Sequence, residues 1–69
     1  MKLSARNVLA GTVTSVTRGA VNAIVHIDIG GGVIVTSSIT NAAVDELGLK
    51  PGAEAFAVIK ASDVMIGIA

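Results

Sequence analysis

The chain has no cysteine, tryptophan or tyrosine, and only one phenylalanine, one histidine and one proline among its 69 residues. Without cysteine there can be no disulfide, and a single histidine with no thiolate leaves a structural zinc site without ligands. Charge is scarce as well. Five basic and five acidic residues make up 14% of the chain, against about 25% in ordinary soluble domains. Because they cancel, no long-range field draws a polyanion or an acidic membrane to the surface. Gly, Thr, Ser, Asn or Asp interrupts every apolar stretch well short of the ~18 residues that a membrane-spanning helix needs. Met1-Lys2-Leu3 runs straight into Ser4-Ala5-Arg6-Asn7 with no apolar segment behind the charge, which predicts a cytoplasmic chain without a secretory signal.

Apolar residues, by contrast, are abundant: 52% of the chain is hydrophobic and its mean hydropathy is +0.80. A chain this short buries only about 60% of the surface that its unfolded form exposes, so a lone copy is marginally stable. With disulfides and zinc excluded, association is the remaining staple. The apolar excess predicts a homo-oligomer of closed symmetry, with much of that surface in subunit contacts.

Val8–Thr17 is rich in β-branched residues and predicts a strand with an irregularity at Gly11; Val13 and Val16 differ in parity, which points to a bulge or strong coiling. After the Arg18-Gly19-Ala20 turn, Val21, Ala23, Val25, Ile27 and Ile29 alternate with Asn22, Ile24, His26 and Asp28, so one face of this strand is buried. Gly30-Gly31-Gly32 closes a hairpin into a third strand, Val33–Ile39. Asn41–Leu47 is helix-competent: Thr40 or Asn41 can cap its start, Gly48 its end, and Val44 and Leu47 are its expected core-facing pair. A Leu49–Gly52 turn leads to a fourth strand, Ala53–Lys60, with Phe56 expected in the core, and Val64–Ile68 is expected as a fifth. The fold class is therefore all-β: one domain over residues 1–69, a small five-stranded OB-like Greek-key barrel with one short helix between strands 3 and 4. The helix disfavours an SH3-like barrel.

Catalysis has almost no candidates. His26 is alone, and Asp28, Asp45, Glu46, Glu54 and Asp63 are scattered without a paired arrangement, so the chain is not an enzyme. His26 and Asp28 share a strand face but do not fill a metal coordination shell; a solvated face or an interface hydrogen bond accounts for them better. Nucleic-acid binding needs a basic groove and aromatic platforms, and neither is present.

What the chain does have is hydrogen-bond donors. A fully deprotonated oxyanion presents only acceptors, so its site is built of hydroxyls, backbone N–H groups and one or two cations. Arg6 and Lys60 supply charge, and Ser4, Thr40 and Ser62 supply hydroxyls. Ala5 and Ala61 are small enough for backbone amides to approach an oxygen, and Asp63 has to face away. The plainer account, which spacing alone favours, makes these residues a terminus, two solvated charges, a helix cap and a turn.

Ser4-Ala5-Arg6-Asn7 with Leu9 and Gly11, Gly19–Ala23, Ile39-Thr40 before a helix ending in Leu47–Gly52, and Val58–Ser62 together resemble the Mop family, the molbindins, over nearly the whole chain. The resemblance implies a hexamer built as a trimer of dimers, holding molybdate or tungstate between subunits, with no organic cofactor and no nucleic-acid or membrane partner. One site type would use Ser4, Ala5 and Arg6 of one subunit with Thr40, Lys60, Ala61 and Ser62 of a neighbour. Ala43 stands where related domains can place a serine. A second site type would lie around Gly19, Ala20, Val21 and Asn22, with Ser37 from the Thr36-Ser37-Ser38 run. The implied function is molybdenum storage or homeostasis. The alternative is a structural oligomerisation or regulatory module without a ligand of its own.

Overall fold

The computed structural model describes all 69 residues. Strands β1 (Asn7–Arg18), β2 (Asn22–Asp28) and β3 (Ile34–Thr40) are followed by helix α1 (Asn41–Leu47) and strand β4 (Glu54–Ile59). All pairings are antiparallel, in the order β3-β2-β1-β4. The twelve-residue β1 organises the sheet because it serves two partners in succession. Asn7–Thr12 pair with β4, and Thr12–Arg18 with β2, so Thr12 stands opposite both Glu54 and Asp28. The register slips between Val13 and Ser15, where the expected bulge falls. Gly11 lies just before it. A Cβ there would be 2.5 Å from the Asp28 carbonyl oxygen and 2.7 Å from Ile27 Cγ2, so only glycine lets the strands close up at this bend. Bulge and glycine together curl the sheet into a half-barrel.

The connections follow their local chemistry. Gly30, Gly31 and Gly32 all have positive φ in the β2–β3 hairpin, and the Ile29 amide donates to Val33 O across it. Thr40 caps α1 by accepting from the Ala43 amide at 3.1 Å, and Gly48 closes it in the left-handed conformation. Pro51 and Gly52 occupy the centre of a turn closed by the Ala53 amide on Lys50 O; the Gly52 and Ala53 backbone then clasps Val13 from both sides.

The core is thin: Val13, Ala23, Val25, Ile27, Val44 and Ala57 are the only buried residues. Each fully buried valine contributes about 1.5–3 kcal/mol. Three expectations are corrected. Phe56 is 55% exposed, because β4 turns Ala55 and Ala57 inward and Phe56 outward. Leu47 is 68% exposed, because the two-turn helix meets the sheet through Val44 and ends at the rim. Residues 64–68 form no strand. After a 3₁₀ turn at Ala61–Asp63 the tail leaves the sheet, with Met65, Ile66 and Ile68 each at least 88% exposed. The half-barrel consequently stays open as an apolar groove of about 640 Å³, lined by Val25, Ile27, Val35 and Ile39 of β2 and β3 and by residues of β4.

Candidate functional site

The β1–β4 ladder joins the two ends of the chain. Asn7 lies opposite Ile59, and its Nδ2 donates to Ile59 O at 3.2 Å across 52 residues of sequence. Ser4-Ala5-Arg6 and Lys60-Ala61-Ser62 therefore leave the same end of the same strand pair. On the second segment the Asp63 amide donates to Lys60 O at 2.9 Å and the Val64 amide to Ala61 O at 3.3 Å, which winds Ala61–Asp63 into its turn. Ser4, Arg6, Lys60, Ala61 and Ser62 are exposed, and Ala5 is half-buried. One ion pair forms in the chain, Arg18 with Asp45 at 2.6 Å, so Arg6 and Lys60 are cations without a counter-ion. Asp63, in the same turn, is exposed and unpaired.

Thr40 is not part of this cluster. It stands opposite Asn22 at the far end of the sheet, where Arg18 pairs with Ala23, and the length of β1 separates it from Lys60. Its oxygen accepts from Ala43, which leaves the hydroxyl proton free to donate. Ala43 contributes its amide to that cap. Within one chain the cluster is thus Ser4, Ala5, Arg6, Lys60, Ala61 and Ser62, and Thr40 belongs to a second locality.

That locality is the β1–β2 turn. The Gly19 amide donates to Asn22 O at 2.7 Å, with no positive φ at Gly19. Asn41, at the start of α1, donates its backbone amide to Val21 O at 2.8 Å and its Nδ2 to Gly19 O at 3.0 Å. Gly19, Ala20, Val21, Asn22 and Thr40 are all exposed around this junction. Ser37 is elsewhere: it pairs with Val25, and with Val35 and Ile39 it lines the groove. His26 and Asp28 each have separate partners: Ser15 Oγ lies 2.9 Å from His26 Nδ1, and Asp28 accepts from the Gly30 amide at 2.8 Å. Asn41 and the Arg18–Asp45 pair had no sequence signal, because each partner lies more than 20 residues away.

A short curled sheet with clustered donors defines a small binding module. The chain belongs to the TOBE domain family, whose model matches residues 3–66, and among its relatives are the molybdenum-pterin-binding (Mop) proteins. It is 59% identical over 68 residues, 99% of each chain, to the "Probable molybdenum-pterin-binding protein" of Haemophilus influenzae. MopII from Clostridium pasteurianum, 48% identical, superposes with a TM-score of 0.90 over 97% of this chain and all of that one. The cytoplasmic molybdate-binding protein ModG, solved with molybdate bound, matches with a TM-score of 0.94 and 56% identity; all of this chain corresponds to 49% of that one. These relatives are named for binding, not for catalysis. No helix here is long and apolar enough to cross a membrane.

Proposed function

We propose that this chain binds molybdate, and tungstate with it, at sites completed between copies of a homo-oligomer, and serves to store or buffer the oxyanion inside the cell. The observation that carries this is the pair of cations without counter-ions, Arg6 and Lys60, at the shared end of β1 and β4 with Ser4 and Ser62 beside them. Hydrogen bonds to a charged acceptor are roughly twice as strong as neutral ones, so converging donors offset the desolvation of a dianion. Thr40 of a neighbouring copy adds its hydroxyl to this first site. The Gly19–Asn22 turn supplies a second. Phosphate near neutral pH carries a proton that a donor-only site cannot accept, and sulfate is too small for a molybdate cavity. The molybdate-bound ModG structure and the names of the other relatives support the same ligand; ModG is also described as cytoplasmic.

The unfinished barrel supports the oligomer. Residues 64–68 are apolar, long enough for a fifth strand, and exposed, while β3 and β4 offer free edges beside an apolar groove. The tail of one copy closes the barrel of another, which completes the five-stranded OB-like form. A hexamer built as a trimer of dimers is the assembly in which we place both site types.

Calorimetric titration with molybdate tests the assignment, with sulfate and phosphate as controls. The wild-type assembly takes up molybdate, and Arg6→Ala/Lys60→Ala loses the first class of sites while keeping its oligomeric mass. Unchanged binding in the double variant overturns that site. No heat and no binding in the wild type would leave a structural oligomerisation module.

A further inference from the structure

Asn41 sits at a cost. Its Oδ1 is buried and has no hydrogen-bond partner, and an orphaned acceptor of this kind disfavours the folded state. The same side chain spends its Nδ2 on Gly19 O, and its backbone amide takes Val21 O. Two carbonyls of the β1–β2 turn are thereby held against the start of α1. The Ala20 and Val21 amides, in contrast, have no partner within the chain and belong to exposed residues. The Gly19 and Val21 carbonyls are thus held against the start of α1, the Ala20 and Val21 amides are left free, and Asn41 Oδ1 is buried away from solvent. The nearest cation, Arg18, is committed to Asp45. Recognition at this turn therefore rests on neutral N–H groups.

We infer that Asn41 is the positioning residue of the second oxyanion site: its side chain locks the Gly19 carbonyl inward, so that the Ala20 amide on the opposite side of the same planar peptide faces a fully deprotonated tetrahedral anion, beside the free Val21 amide. This role rests on the turn being an oxyanion site at all. Without the Nδ2 bond, Gly19 O is free to rotate toward the ligand, and an acceptor facing an acceptor repels it. Asn41→Ala removes that bond together with the orphaned oxygen, so its melting temperature stays close to that of the wild type. Asn41→Asp removes the donor and adds a charge, and weakens binding further.

The test is amide-resolved NMR of the intact assembly titrated with molybdate, run on the wild type, on Asn41→Ala and on Asn41→Asp. In the wild type the Ala20 and Val21 amide resonances move with molybdate. In Asn41→Ala the same movement needs about tenfold more molybdate or more, while resonances of Arg6 and Ala61 titrate as before. Ala20 and Val21 shifts that saturate identically in wild type and both variants overturn the role of Asn41 and leave the turn site standing. Wild-type shifts confined to the Arg6 and Ala61 region remove the turn site, and the inference with it.

Discussion

Thr40 shows how one side chain serves two ends. Its oxygen closes the start of α1 by accepting from the Ala43 amide, and its proton is left over to donate. Thr40→Ala removes both. Loss of an N-cap costs about 1 kcal/mol, which in a domain this small lowers the melting temperature by about 4–8 °C, and molybdate affinity falls with it. Thr40→Ser keeps both functions and is expected to melt and bind close to wild type. Calorimetric scanning of the two variants separates cap from ligand: an alanine variant with full affinity would leave Thr40 as a cap alone. Phe56 illustrates the opposite case. The only aromatic residue was expected in the core, yet it shares its parity with Glu54 and Lys60, and that pattern already marked its face as the outer one.

Among the elements, β1 carries the architecture. Its first half belongs to β4 and its second to β2, and the change of partner is made by Gly11, Thr12 and the bulge that follows. The candidate site depends on this hand-over, because the β1–β4 register brings Arg6 and Lys60 to one end. Gly11→Val drives a side chain into the Asp28 carbonyl and Ile27. Backbone atoms cannot step aside as a flexible side chain does, so a destabilisation of about 1–3 kcal/mol is expected, measurable as a lower denaturation midpoint. A valine variant as stable as the wild type would show that the strands do not need this close approach.

The molecule as a whole exposes more than a monomer of its mass should. Its accessible surface is 5128 Å², where about 4,000 Å² is typical of a folded monomer of this size. The difference exceeds the roughly 800 Å² that each partner commits to a standard interface. Much of it comes from the apolar tail and the open groove. A chain ending at Asp63 is therefore expected to lose its assembly, sedimenting at or near monomer mass and melting lower than the full chain. Retention of the full oligomeric mass by the shortened chain would exclude the tail as the joining strand.

The sequence by itself determined the features that depend on neighbouring residues alone: the alternation of β2, the three-glycine hairpin, a helix start at Thr40 or Asn41 with Gly48 at its end, the turn around Pro51-Gly52 and an irregularity in β1. Each is fixed by local dihedral preference or by the parity of adjacent side chains. It also marked Arg6 and Lys60 as donors, and the resemblance to the Mop family paired them. Tertiary structure alone decided which donors meet. Register set Asn7 against Ile59 and placed Thr40 a strand's length from Lys60, and it brought Asn41 onto the Gly19 turn. The reach of α1 left Leu47 at the rim, and the tail pairs with neither free edge of its own sheet. Such outcomes follow from pairings between distant segments, whose free energies depend on the whole sheet and on the copies around it.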